Sequence, residues 1–136
     1  MSILFILDDM EMRRDALRSR RPLAQIRWST DFDGAKQGAE WWHRPSVDGS
    51  ISEVWLDHDL NELHYHGDYS DGKTGLDFAR MMIANGWFKT ATIYVHTMNP
   101  ARGDLMMQEL HAAGYKVKRE LLVREYDIRD DWRDSG

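Results

Sequence analysis

Ile3-Leu4-Phe5-Ile6-Leu7-Asp8-Asp9 is an apolar run that ends on two carboxylates, and Val54-Trp55-Leu56-Asp57-His58-Asp59 repeats the arrangement later in the chain. Short uninterrupted apolar runs suit strands buried on both faces, as in a parallel sheet. In such a sheet both acidic ends emerge on the same carboxyl rim, which is where open α/β sheets bind ligands. Carboxylates crowded together either raise one another's pKa values or hold a cation. Clusters of oxygen donors suit Mg²⁺ among the common ions. The alternative is that Asp8 and Asp9 cap the helix that follows, a role that needs one Asp and no second cluster.

Outward from these two runs, helices and strands alternate. Met12, Ala16 and Leu17 form a helical stripe that Pro22 ends. Gln25 to Ser29 reads as a second strand, and Thr30 with Asp33 resembles a capping box for a helix that carries Ala35, Gly38, Ala39 and Trp42 on one face. The turn-forming Asp48-Gly49-Ser50 precedes the strand at Val54 to Leu56. From His58 to Lys73 runs a stretch far longer than the usual βα connection of roughly two to six residues, as active-site lids are. A helix from about Thr74 places Leu76, Ala79, Met82 and Ile83 inward and stops at Asn85-Gly86. Thr92 to Val95 is a fourth strand, Asn99-Pro100 an N-cap followed by the proline favoured at the first helical position, and Met106, Leu110 and Ala113 the buried stripe of that helix. Lys116 to Val123 can supply a fifth strand. Strands alternating with helices imply an α/β fold with a parallel sheet, right-handed crossovers and helices on both faces.

The 136 residues fit one domain, expected over 1–126 with a charged tail at 127–136. Having no cysteine, the chain has neither disulfides nor a thiolate metal site. It shows no signal segment and no run long enough to cross a bilayer, so no membrane association and a cytoplasmic location are the default expectations. A formal net charge of −5 argues against duplex DNA as a partner, since that affinity comes mainly from Lys and Arg on phosphates. Arg13, Arg14, Arg18, Arg20 and Arg21 are concentrated in one segment, which reads as the solvated face of a helix or as a patch for an anion. The sequence does not disclose the oligomeric state.

With the order βαβαβαβαβ and acids after strands one and three, the chain resembles the receiver domain of response regulators. That resemblance implies a flavodoxin-like three-layer sandwich whose five-stranded parallel sheet has the order 2-1-3-4-5. It puts Asp8 and Asp9 on the metal-binding acidic pair, Asp57 on the phosphoacceptor, the main chain at Asp59 on the carbonyl that completes the metal site, and Thr97 or His96 near the hydroxyl position. Receivers carry a Lys-Pro pair after strand five, and the segment from Val117 to Arg124 has none. Leu7-Asp8-Asp9, Asp57-His58-Asp59-Leu60 and His96-Thr97-Met98-Asn99-Pro100 are together more similar to the cyclic-phosphate processing receiver-like family, with Thr97 where that family has Ser. This second resemblance implies binding or hydrolysis of cyclic phosphate ends or cyclic nucleotides.

The residues themselves supply a consistent chemistry. Asp8, Asp9 and Asp57 are hard oxygen ligands for Mg²⁺ or Mn²⁺, able to polarise a phosphoryl oxygen and orient water. His58 or His96 could take a proton from that water or return one to the leaving oxygen, and His96 could equally be a structural partner of Asp57 or a metal ligand. The Asn99-Pro100 helix start favours an anion. Arg102 can reach a phosphate or face solvent, and Thr97 can donate a hydroxyl or merely end the strand. Lys73 could swing over the site in place of the missing lysine. His64 and His66 could join His58 in a transition-metal site or belong to a loosely ordered loop. Together with the resemblance, this gives as the leading expectation a divalent-metal-dependent phosphoesterase or binder acting on cyclic phosphate. The alternatives are a signalling receiver phosphorylated on Asp57 and a non-catalytic cyclic-nucleotide sensor.

Overall fold

Five short strands, β1 (Ile3–Leu7), β2 (Gln25–Ser29), β3 (Glu53–Leu56), β4 (Thr92–Val95) and β5 (Lys116–Arg119), pair in parallel in the order β2-β1-β3-β4-β5. The computed structural model describes residues 2–45 and 50–122. Helices α1 (Glu11–Arg20), α2 (Phe32–Trp42), α4 (Gly75–Asn85) and α5 (Pro100–Ala112) make the crossovers, and a single-turn helix α3 (Glu62–Tyr65) lies between β3 and α4. This is the flavodoxin-like three-layer arrangement. The tail expected at 127–136 lies outside the described residues.

Alternation along the strands divides the core in two. Phe5, Leu7, Val54, Leu56, Ile93 and Val95 pack against α2, α4 and α5. Leu4, Ile6, Trp55 and Tyr94 point the other way, toward Leu17 of α1, with the rings of Trp55 and Tyr94 stacked at 4.2 Å. The central strands are thus apolar on both faces, which is why they read as unbroken apolar runs.

Helix ends follow local chemistry, with two departures from expectation. Thr74 opens α4 with a complete capping box, Gly86 ends it at φ 67°, and Asn99 with Pro100 opens α5. On α2, however, the cap is Asp31, which accepts from Gly34 N at 2.8 Å, and not Thr30 with Asp33. The first helical residue is Phe32, so Thr30 lies one position too early, while Asp33 instead pairs with Lys73. On α1 the N-cap is Met10, which has no side-chain cap bond, so neither Asp8 nor Asp9 is the cap. Asp8 accepts the Met10 amide as a turn contact and is otherwise committed elsewhere. Within α1, Met12 is exposed and Arg13 takes the inward place. β5 ends at Arg119, sooner than the run to Val123, and Val123 lies outside the described residues.

Candidate functional site

Register builds a row at the carboxyl rim. Leu7 pairs with Leu56 and Leu56 with Val95, so Asp8, Asp57 and His96 are the next residues on three adjacent strands. Neighbouring strands stand about 4.8 Å apart. Ile6, Trp55 and Tyr94 face α1, so two residues on, Asp8, Asp57 and His96 face it as well. All three are buried, and one ligand atom from each lies within 4.8 Å of the others.

The α1 face brings a cation to this row. Arg13 stands one turn before the buried Leu17, on the same side of the helix, and is itself only 6% exposed. Its Nη1 donates to Asp57 Oδ2 at 2.6 Å and lies 3.3 and 3.4 Å from the two oxygens of Asp8. The expectation that the arginines of this segment form a solvated face is therefore corrected at Arg13, the one among them that alternation on α1 turns toward two carboxylates. Arg14 and Arg20 do pair at the surface, with Glu11 and Asp15 and with Glu120.

Burial dominates the electrostatics. It pushes the Asp8 carboxyl well above its ordinary range, with Asp57 adding to the rise and Arg13 opposing it. Burial also raises Asp57, against Arg13 and the His58 amide. The same desolvation works against a charged Arg13, but Asp57 and Asp8 outweigh it and hold the guanidinium charged. His96 is held well below the usual imidazole value, first by burial and then by Arg13, so its ring is neutral near neutral pH. Its Nδ1 is 3.5 Å from Asp8 Oδ2, yet among the described residues neither ring nitrogen has a hydrogen-bond partner. Buried polar atoms left unpaired are costly, so their persistence at a carboxylate pair suits a metal ligand. Neighbouring ligands of an octahedral Mg²⁺ lie about 3 Å apart and opposite ones about 4.2 Å. Asp8, Asp57 and His96 have the spacing to hold a divalent ion after a small contraction, in the space that Arg13 Nη1 occupies between the two carboxylates.

A polar segment covers the rim. The Gly75 amide donates to the His58 carbonyl at 2.9 Å, closing the neck of the loop they bound. A Cβ at Gly75 would overlap the Asp57 carbonyl, so this position needs glycine. Inside the loop, His64 Nδ1 accepts the Leu60 amide at 2.9 Å and Nε2 meets Asp71 at 2.9 Å. Both bonds fix the tautomer with its proton on Nε2. Tyr65 donates its hydroxyl to Asp9 at 2.8 Å, and the Tyr69 hydroxyl accepts from Asn99 Nδ2 at 2.8 Å. Arg102 lies over the Tyr69 ring at 4.3 Å, and His58 meets the same ring edge-on at 4.8 Å.

The expected residues thus fall into three groups. Asp8 and Asp57 converge on Arg13, with the His96 ring beside Asp8. Asp9 is engaged by Tyr65, while Asp59 accepts from His58 Nδ1 at 2.8 Å, with His58 Nε2 unpaired among the described residues. Asn99 and Arg102 meet at Tyr69, and Thr97, buried beside them, accepts the Asn99 amide at 3.1 Å. Asn99 takes the Arg102 and Gly103 amides with its side chain and carbonyl, and Pro100 has no amide, which leaves Ala101 as the first-turn donor for an anion. Lys73 does not reach the row, because Asp33 holds it at 2.9 Å. His64 is a pin within the loop and His66 is exposed, so the two do not join His58 in a metal site. Arg13, Tyr65 and Tyr69 are the contributors that sequence reading missed. The Arg13 to Leu17 spacing, combined with strand alternation, is the signal that points to the first.

A family model described as a cyclic-phosphate processing receiver domain matches residues 3–112. Among solved structures, the response regulator TrrA of Thermotoga maritima, in complex with Mg²⁺-BeF, is similar at a TM-score of 0.60 and 17% identity, over 99% of this chain and 98% of that one. The chemotaxis protein CheY4 of Vibrio cholerae gives 0.60 and 14% over 99% and 98%. The receiver domain of HemR from Leptospira biflexa gives 0.60 and 15% over 98% and 93%. At these identities the likeness is one of fold. No curated protein matches.

Proposed function

Because the chain belongs to the cyclic-phosphate processing receiver domain family, we propose that it binds a cyclic phosphate, as a cyclic nucleotide or a 2′,3′-cyclic phosphate end, and hydrolyses it with a divalent metal. The observation that carries this reading is the level row of Asp8, Asp57 and His96, with its unpaired buried imidazole. Asp8, Asp57 and His96 would hold Mg²⁺ or Mn²⁺, with Asp9 and Asp59 at the rim once their partners release them. The imidazole donor favours Mn²⁺ over Mg²⁺. Such an ion supplies charge for the phosphoryl oxygen and acidity for a bound water.

The chain's own groups divide the remaining work. Ala101 N–H, the Thr97 hydroxyl and Arg102 would bind the phosphate. Asn99 orients that subsite through Tyr69. His58 would serve as the general base, since Asp59 accepts from its Nδ1 and leaves Nε2 an unpaired acceptor, buried against Tyr69 until the loop opens, while neutral His96 serves as ligand. A cleft of about 370 Å³ on the α2 side, lined by Asp9, Asp31, Asp33, Leu60, Asn61 and Lys73, meets the site at Asp9 and would take a part of the ligand away from the phosphate. The test is turnover of 2′,3′-cyclic and 3′,5′-cyclic nucleotides with Mg²⁺ or Mn²⁺. Metal-dependent product formation is expected. Calorimetric binding without product would leave a binding protein, and neither binding nor product would sink the reading.

The place of Asp57 at the end of β3 favours one competitor, a receiver phosphorylated on that residue. Incubation with acetyl phosphate followed by intact-mass measurement separates the two, and a stable adduct on Asp57 would support the signalling role.

A further inference from the structure

We propose that Arg13 is an internal counter-cation that competes with the divalent ion for Asp8 and Asp57, so that metal enters only as the guanidinium withdraws toward the rim. This rests on the metal half of the reading above. The oxygens that a bridging ion needs are already engaged: Asp57 Oδ2 by Arg13, Asp57 Oδ1 by the His58 amide and Asp8 Oδ1 by the Met10 amide. Asp8 Oδ2, the remaining one, faces both Arg13 Nη1 at 3.3 Å and His96 Nδ1 at 3.5 Å. A guanidinium and a divalent ion cannot share that space, because like charges a few ångströms apart repel strongly where water is excluded.

The fold allows the exchange. Arg13 is the third residue of α1, at the rim end of the helix, so its flexible stem can carry the head outward without unwinding a turn. Two buried carboxylates would otherwise face each other unneutralised, and Arg13 lets the apo site exist. Once displaced, its fork of donors stands at the rim in the chemistry that takes a phosphate. Metal loading and phosphate capture are then two halves of one movement.

The test measures Mn²⁺ binding by electron paramagnetic resonance for the wild type, Arg13→Met and Arg13→Gln, with thermal unfolding in the presence and absence of Mn²⁺. The expected result is that Arg13→Met melts below the wild type without metal, that saturating Mn²⁺ closes the gap, and that the variant binds Mn²⁺ about tenfold tighter, the worth of one charge-assisted hydrogen bond. Unchanged or weaker binding in the variants, with the wild type still binding, overturns the proposal and leaves the metal reading standing. If no form binds Mn²⁺, both fall. Should neither variant fold without metal, the nitrogen-15 resonances of the Arg13 guanidinium in the wild type decide the matter during a Mg²⁺ titration. They are expected to lose their solvent protection as the metal saturates, and a signal unmoved at saturation overturns the proposal.

Discussion

The acid row and the segment that covers it are both polar, yet they are held in opposite ways. Asp8, Asp57 and His96 are fixed by strand register, and the two carboxylates share one buried guanidinium. The loop from His58 to Gly75 is held by side-chain hydrogen bonds, several of them near the surface, with Tyr65 about half exposed. A buried charge group of the first kind is worth little more than hydrophobic filling while intact but is costly to break. Contacts of the second kind are individually modest, which is what a segment that must open requires.

The largest effect should come from breaking the row. Arg13→Ala leaves Asp8 and Asp57 facing each other without a cation, and we expect a loss of about 3–5 kcal/mol in chemical denaturation. A smaller effect should follow His64→Ala, which strips the Leu60 amide of its acceptor and costs about 2 kcal/mol. That loss should register mainly as faster hydrogen exchange between Leu60 and Lys73, and an equal drop in global stability would erase the distinction between the two regions. Smaller still, Tyr69→Phe should remove one hydrogen bond of about 1 kcal/mol and raise exchange in the same segment without shifting the denaturation midpoint appreciably.

Titration should sharpen the contrast by sign. Asp71 is pushed up by burial, but hydrogen bonds from His64, the Lys73 amide and Asn61 outweigh this and set it below its ordinary 3.8. Its contribution is present above that value and lost as pH falls through the folded one, so loop protection should drop in acid. Asp8 is raised, so the folded state holds its proton longer than the unfolded chain does. Stability from the row should fall as pH climbs from 3.8 toward the raised value. Melting curves and exchange rates collected across pH 3 to 8 would separate the two trends, and parallel trends would break the comparison.

Much of this was legible in the chain. Apolar runs capped by Asp8 and Asp57 announce parallel strands, and Thr74, Gly86 and Asn99-Pro100 declare their helix ends, because these signals are local. Arg13 was hidden among neighbouring arginines, since its burial depends on which face of α1 meets the sheet. The contacts of Tyr65 and Tyr69 were illegible for a different reason. An irregular segment has no period, so nothing in the sequence says which distant group its side chains will reach. The Thr30 cap failed by a single position, the usual scale of error at a helix boundary.

The bond between Gly75 and the His58 carbonyl has an evolutionary corollary. Because the neck is closed by backbone alone, what lies between those residues can be lengthened, shortened or replaced with little displacement of Asp57. Doubling such a loop costs only about 0.6 kcal/mol in closure entropy. The segment is thus an exchangeable cassette on a fixed base, where new ligand preferences can be tried while the acid row beneath is left untouched.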